Sequence, residues 1–226
     1  MKHVLDHQQR LHGCGANRHF WRGAWLDEDE VDRRIGTLGR TARLVLGTSR
    51  LSPLVVVAAC GRLRTALNSP RAELRGRLTD RLRARNVSGA KIDRVFTDLL
   101  DALPRLAHSG FHGRTPQPRL HTHIVTGSEP AVGALSAVEG LLSGHFNVVK
   151  TSRDDSLFTA ELLAGLAGQD VTGQIAARVV VLRFSAVQRR DWMSQICDPA
   201  DTVAVCGPKL SYAHPAGTRW STMDQN

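Results

Sequence analysis

The chain has 226 residues, a hydrophobic fraction of 42% and a formal net charge of +9. That suffices for one α/β domain, or a small domain with an appendage, and argues against wholesale disorder. No apolar run approaches the roughly 20 residues of a spanning helix, and MKHVLDHQQRLHGCG carries charges where a signal peptide carries an apolar core, so a cytoplasmic protein with no membrane span is expected.

The charge excess is almost entirely arginine, since Lys2, Lys91, Lys150 and Lys209 are the only lysines. A basic chain can neutralise phosphates. However, the arginines between Arg62 and Arg85 are interspersed with Glu73 and Asp80, and aromatics make up only 5%. Mixed helical charge without an aromatic stacking platform favours a solvated surface over a nucleic-acid-binding module. Cys14, Cys60, Cys197 and Cys206 are scattered with no CxxC pair, as expected of reduced thiols.

Residues 1–25 are rich in histidine, glycine and arginine and predict a flexible amino-terminal arm. His3, His7, His12, Cys14 and His19 fall in no established zinc spacing, so no metal is expected. Asp27 opens a helical segment, DEDEVDRRIGTLGRTARLVLG, with acids in the first turn where they favour the helix dipole. Ser52-Pro53 caps a second helix, SPLVVVAACGRLRTALN, whose Cys60 reads as a small buried hydrophobe. An arginine-rich helix over 70–87 and an amphipathic one over 88–107 complete a helical subdomain at 26–118, which ends in the loop HSGFHGRTPQP.

From Leu120 onward short apolar runs alternate with helical patterns: HIVTG, PAVGALSAVEGLLSG, FNVVK, SLFTAELLAGLAG, RVVVLRF and DTVAVCG. This alternation predicts a Rossmann-like parallel sheet with crossover helices over 119–212, followed by an irregular tail at 213–226. Such sheets bind ligands outside the carboxyl ends of their strands. The turn after the first strand, Thr126 to Pro130, holds no GxGxxG, and the chain has no GxxxxGK[ST] loop. Lys150 ends the buried strand FNVV and precedes Thr151 and Ser152. It suits a ribose or phosphate, with Ser152 adding a hydroxyl, but a lysine leaving the sheet for solvent fits the position equally well.

The stretch GSEPAVGALSAVEGLLSGHFNVVKTS and the later GPKLSYA resemble the LuxC-like acyl-CoA reductases of the aldehyde dehydrogenase superfamily. The resemblance is tight at 119–160 and loose over the rest of 30–212. It implies NADPH-dependent (or NADH-dependent) reduction of a fatty acyl-CoA, or an acyl-protein thioester, to a fatty aldehyde through a cysteine thioester. It also implies that Lys150, with Ser152 beside it, meets the adenosine ribose or its phosphate, and that Thr126, Gly127 and Pro130 shape the cofactor turn. Ser128 stands near an asparagine that, in many members, donates to the developing oxyanion. His145 and Thr151 replace the usual asparagine and proline. None of the four cysteines matches the family's catalytic motif, so no nucleophile is assigned; Cys206 reads as a small residue at a strand end.

Family members continue well beyond this length, and 201-DTVAVCGPKLSYAHPAG-217 joins a strand to GPKLSYA where they place a turn and a helix. A truncated member covering mainly the cofactor-binding half is expected, as a reductase, as a non-catalytic nucleotide-binding remnant, or as one subunit of a split enzyme acting with a complementary chain or as a homo-oligomer.

Overall fold

A computed structural model of the chain describes residues 18–69, 71–109, 117–126, 130–153, 155–207 and 211–215. Strands β1 (His19–Trp21) and β2 (Ala24–Leu26) form a hairpin whose two turn residues, Arg22 and Gly23, both have positive φ, as a tight two-residue hairpin turn requires. Helices α1 (Glu28–Ile35), α2 (Leu38–Thr48), α3 (Pro53–Asn68), α4 (Glu73–Arg83) and α5 (Gly89–Ser109) follow. The carboxyl half runs β3 (Leu120–Val125), α6 (Val132–Leu142), β4 (Phe146–Thr151), α7 (Phe158–Gly168), β5 (Val179–Arg183), α8 (Arg190–Cys197), β6 (Thr202–Cys206) and β7 (Ser211–Pro215).

These strands form one sheet in the order β2-β1-β5-β4-β3-β6-β7. The inner four, β5-β4-β3-β6, are parallel; β1 and β7 flank them antiparallel. The expected α/β fold with a Rossmann-like parallel sheet is present. The chain winds outward from β3 through β4 to β5, then returns past its starting strand to place β6 on the other side. Strand order therefore reverses between β3 and β6.

The two-residue side-chain period of the strands sorts the core into two. Val179 and Val181 pack with α3 to α7, while Val180 and Leu182 pack with α1, α2 and α8. The helical segment expected as a subdomain at 26–118 is thus divided by the sheet, with α1 and α2 on one face and α3 to α5 on the other.

Local chemistry fixes the helix ends. Asp27 caps α1 by accepting from the Glu30 amide at 2.8 Å, and Ser52 caps α3 by accepting from the Leu54 amide. The single helix expected after Asp27 is two, because the Thr37 amide and hydroxyl both bond the Arg34 carbonyl and close α1. Three further differences from the sequence reading involve elements made by tertiary contacts. Residues 19–25, expected within a flexible arm, belong to the hairpin added to the sheet edge by β1–β5 pairing. Helix α8, of which only Trp192 and Ile196 are fully buried, is pinned by Trp192 Nε1 donating to Asp32 Oδ1 at 2.6 Å. Strand β7 runs two residues past the expected start of the irregular tail because its register pairs Cys206 with Ser211 and Thr202 with Pro215.

Glycines in the crossover helices have unequal roles. A Cβ at Gly133 on α6 would sit 2.5 Å from Val125 Cγ2 and 3.3 Å from Val149 Cγ1, whereas one at Gly168, ending α7, would meet nothing within 4 Å. Gly133→Ala is expected to lower stability by about 1–3 kcal/mol through overpacking, while Gly168→Ala should be neutral or mildly stabilising. Urea midpoints check the pair; equal midpoints would contradict the close approach of α6 to the sheet.

Candidate functional site at the carboxyl edge of the parallel strands

Where strand order reverses, the ends of neighbouring strands diverge and leave a crevice open to a ligand. The ends of β3 and β6 are tied there by the Thr126 amide donating to the Cys206 carbonyl at 2.7 Å, with the Thr126 hydroxyl at 3.3 Å from the same oxygen. A Cβ at Gly207 would lie 2.6 Å from Thr126 Oγ1 and 3.0 Å from its carbonyl oxygen, so the close approach of the strand ends needs glycine. Thr126 itself is exposed.

One strand over, parallel register places Lys150 beside Ile124 of β3 and Leu182 of β5. Lys150 is 8% exposed, and its Nζ lies 5.5 Å from the centroid of the Phe184 ring. Among the described residues no carboxylate pairs with it. Burial pulls its pKa below the ordinary lysine range, the expected response of a cation that has lost water without gaining an anion. Ser152 follows at the surface. Thr151 is buried with an unpartnered Oγ1, and Asp155, whose carboxyl pKa is raised chiefly by burial, has a buried Oδ2 without a hydrogen bond. Buried polar atoms of this kind call for a ligand or water. Thr151 and Lys150 point to opposite faces of the sheet, so of these groups it is the buried Lys150 ammonium, with Ser152 two residues on, whose chemistry suits a phosphate or a ribose hydroxyl.

The structure thus brings Thr126, Lys150 and Ser152 of the expected site together on adjacent strand ends. Pro130 lies at the entry to α6, where its carbonyl accepts from Thr159 Oγ1 at 3.1 Å. Gly127 and Ser128 lie outside the described residues.

A polar chain under this edge is not evident from sequence. His123 of β3 meets Ser136 Oγ of α6 through Nδ1 at 2.9 Å and Asn147 Oδ1 of β4 through Nε2 at 3.0 Å. Asn147 Nδ2 donates to the His145 carbonyl. Its Oδ1 must therefore accept, which puts the proton of neutral His123 on Nε2 and leaves Nδ1 to accept from Ser136. Cys206 Sγ lies 3.5 Å from the same serine oxygen. The one local signal was a polar Asn147 inside the apolar run FNVV. Gly140 makes room for it, since a Cβ there would sit 2.0 Å from Asn147 Oδ1.

No described cysteine is poised for attack. Burial pushes Cys60 up to about 12 and Cys197 up to about 11, and Cys206 is only 4% exposed. A reactive thiol requires the opposite combination of lowered pKa and access. Among the described residues no group of three His, Cys, Asp or Glu is placed to hold a metal; His3, His7, His12 and Cys14 lie outside them. No single helix among the described residues is long and apolar enough to cross a membrane.

The family model for acyl-CoA reductase (LuxC) matches residues 89–217. Two solved structures are similar. An NAD-dependent benzaldehyde dehydrogenase from Corynebacterium glutamicum has a TM-score of 0.59 at 11% identity, covering 86% of this chain and 50% of its own. A protein of Anabaena variabilis described as an aldehyde dehydrogenase, PutA, has a TM-score of 0.55 at 13% identity, covering 76% of this chain and 39% of its own. The chain thus spans half or less of the length of these structures. Comparison with curated proteins gives no match.

The histidines make the region acid-sensitive. Burial is the largest cause that lowers His121 and that takes His123 and His145 down to about 4 from the usual 6.5, with Arg119 adding to it at His121 and His145 and neighbouring histidines adding to it at His123 and His145. A histidine whose folded-state pKa is depressed contributes stability that is intact above its unfolded pKa and lost as pH falls toward the folded value. The thermal midpoint is therefore expected to fall between pH 6.5 and pH 4, as circular dichroism melts would show. A midpoint unchanged across that window would contradict neutral histidines in β3 and at the start of β4.

Proposed function

Because the chain belongs to the acyl-CoA reductase (LuxC) family, we propose that it supplies the cofactor-binding half of an oxidoreductase reducing a fatty acyl-CoA, or an acyl-protein thioester, to the aldehyde. The observation that carries this reading is Lys150: a buried ammonium at the carboxyl end of a parallel strand, next to the reversal of strand order, with no carboxylate partner among the described residues. Such a cation gains more from an arriving phosphate or ribose hydroxyl than a solvated one would, because the low-dielectric surroundings weaken the interaction less.

In this reading Lys150 and Ser152 hold the adenosine ribose or phosphate of NADPH, or of NADH in its place. Thr126, Gly127 and Pro130 are assigned to the cofactor turn, and Ser128 is assigned the role of donor on the oxyanion side. When bound, the dinucleotide supplies the hydride. The chain's own residues bind and orient it, and the Thr126–Gly207 junction keeps the ends of β3 and β6 close enough to form one wall. A cytoplasmic location belongs to the same reading.

A second reading is favoured by one observation, the coverage of only 39% and 50% of the two similar structures. It makes the chain a nucleotide-binding portion that acts with a complementary polypeptide, or as an oligomer, in which the reactive thiol comes from the other partner. The chain alone should then bind cofactor yet turn over no acyl thioester.

Lys150→Ala removes one charge-assisted contact and is expected to weaken NADPH or NADH binding about 10–100-fold, the equivalent of roughly 1.5–3 kcal/mol. Fluorescence titration of both cofactors checks this. Absent binding, or affinity unchanged by the substitution, would remove Lys150 from the site.

A further inference from the structure

His121 and His123 lie along β3, and His145 leads into β4 from Gly144, whose φ is +76°. Their rings are neighbours: His121 stands 4.3 Å from His145 and 5.7 Å from His123 between centroids. The His121–His145 pair sits at the amino ends of these strands, away from Lys150, and the function proposed above makes no use of it.

At that end a side chain replaces a strand carbonyl. The Arg119 carbonyl accepts from the Phe146 amide at 2.9 Å, as in a ladder, but the Arg119 amide donates to His145 Nδ1 at 3.1 Å. An accepting Nδ1 puts the proton of the neutral ring on Nε2. His145 is 6% exposed, whereas Arg119 and the two residues before it are exposed. The buried imidazole therefore anchors the exposed chain that enters β3.

The three rings differ in what an added proton breaks. On His123 it would fall on Nδ1, facing the Ser136 hydroxyl, which can turn from donor to acceptor. His121 is half-buried and makes no side-chain hydrogen bond among the described residues, so it has none to lose. On His145 the proton falls on Nδ1, against the Arg119 N–H, and two donors cannot share a bond. The charges around His145 oppose the proton as well. Arg119, His121 and His123 stand near it against one carboxylate, Asp201, which Arg43 of α2 already holds at 2.8 Å. Glu139, the one ionisable residue of α6, is exposed, as is Arg50 between α2 and α3.

We propose that His145 is an acid-released latch on β3. The neutral ring holds the Arg119 amide and the chain entering the strand; the protonated ring lets go of residues 117–119 while the β3–β4 ladder beyond them stays paired. Burial, then His121, Arg119 and His123, bring the His145 pKa down to about 4 from 6.5, against the pull of Asp201. Because the folded value lies below that of an exposed ring, the latch is intact above pH 6.5 and weakens as pH falls toward 4.

Hydrogen exchange of the full chain labelled with ¹⁵N tests this. Protection of the Arg119 amide, relative to an unstructured peptide at the same pH, is expected to fall about ten-fold or more between pH 7 and pH 5. Val148, inside the same strand pair, should remain at least about ten-fold better protected at pH 5, as release confined to the strand entry requires. In His145→Asn, whose Oδ1 accepts at the place of Nδ1 but takes no proton, Arg119 protection should hold across that range. If this variant does not fold, the imidazole nitrogen spectra of the unaltered chain decide: His145 Nδ1 should be unprotonated at pH 7 and gain its proton as Arg119 loses protection. Arg119 protection that does not change with pH, that falls together with Val148, or that falls equally in His145→Asn would overturn the proposal, as would a proton on His145 Nδ1 at pH 7.

Discussion

The structure depends on β4. All six of its residues, Phe146 to Thr151, are buried, with parallel neighbours on both sides and helices on both faces. A strand so enclosed admits polar side chains only where they find partners or where the strand ends. Asn147 satisfies the first condition through His123 and the His145 carbonyl; Lys150 satisfies the second, at the edge where strand order reverses. The register that seats Val148 and Val149 in opposite cores also delivers Lys150 to that edge, so the packing and the candidate site have one origin.

The chain through Asn147, His123, Ser136 and Cys206 joins four elements beneath the edge: β4, β3, α6 and β6. Two of its members depend on something absent, a Cβ in one case and a proton in the other. Gly140 leaves room for Asn147, and neutral His123 presents one donor and one acceptor to two fixed partners. This arrangement holds the start of α6 against the strands whose ends form the crevice. The Arg81–Glu161 pair ties α4 to α7 on the same face of the sheet.

Much of this was legible in the sequence where one residue pattern sufficed. Alternating apolar runs predicted the parallel strands and crossover helices, Ser52-Pro53 predicted the start of α3, and FNVVK predicted a buried strand ending on a cation. What escaped depends on partners distant in sequence. The 19–26 hairpin exists because β1 pairs with β5 some 160 residues away. Helix α8 buries only Trp192 and Ile196 and needs Asp32 to fix Trp192. Nothing local in His123 or Ser136 announces their bond, which register and crossover geometry create, and Arg81 and Glu161 are equally mute until α4 packs on α7.

The central claim is that Lys150 lies in contact with a bound dinucleotide. Four lysines make a chain labelled at lysine Cε readable by nuclear magnetic resonance, with Lys150 assigned by its loss in Lys150→Arg. With Lys150 in that contact, its signal is expected to titrate below the ordinary lysine range and to move saturably as NADPH is added. A Lys150 signal that stays fixed while NADPH binds, or one that titrates in the ordinary lysine range, would contradict the contact.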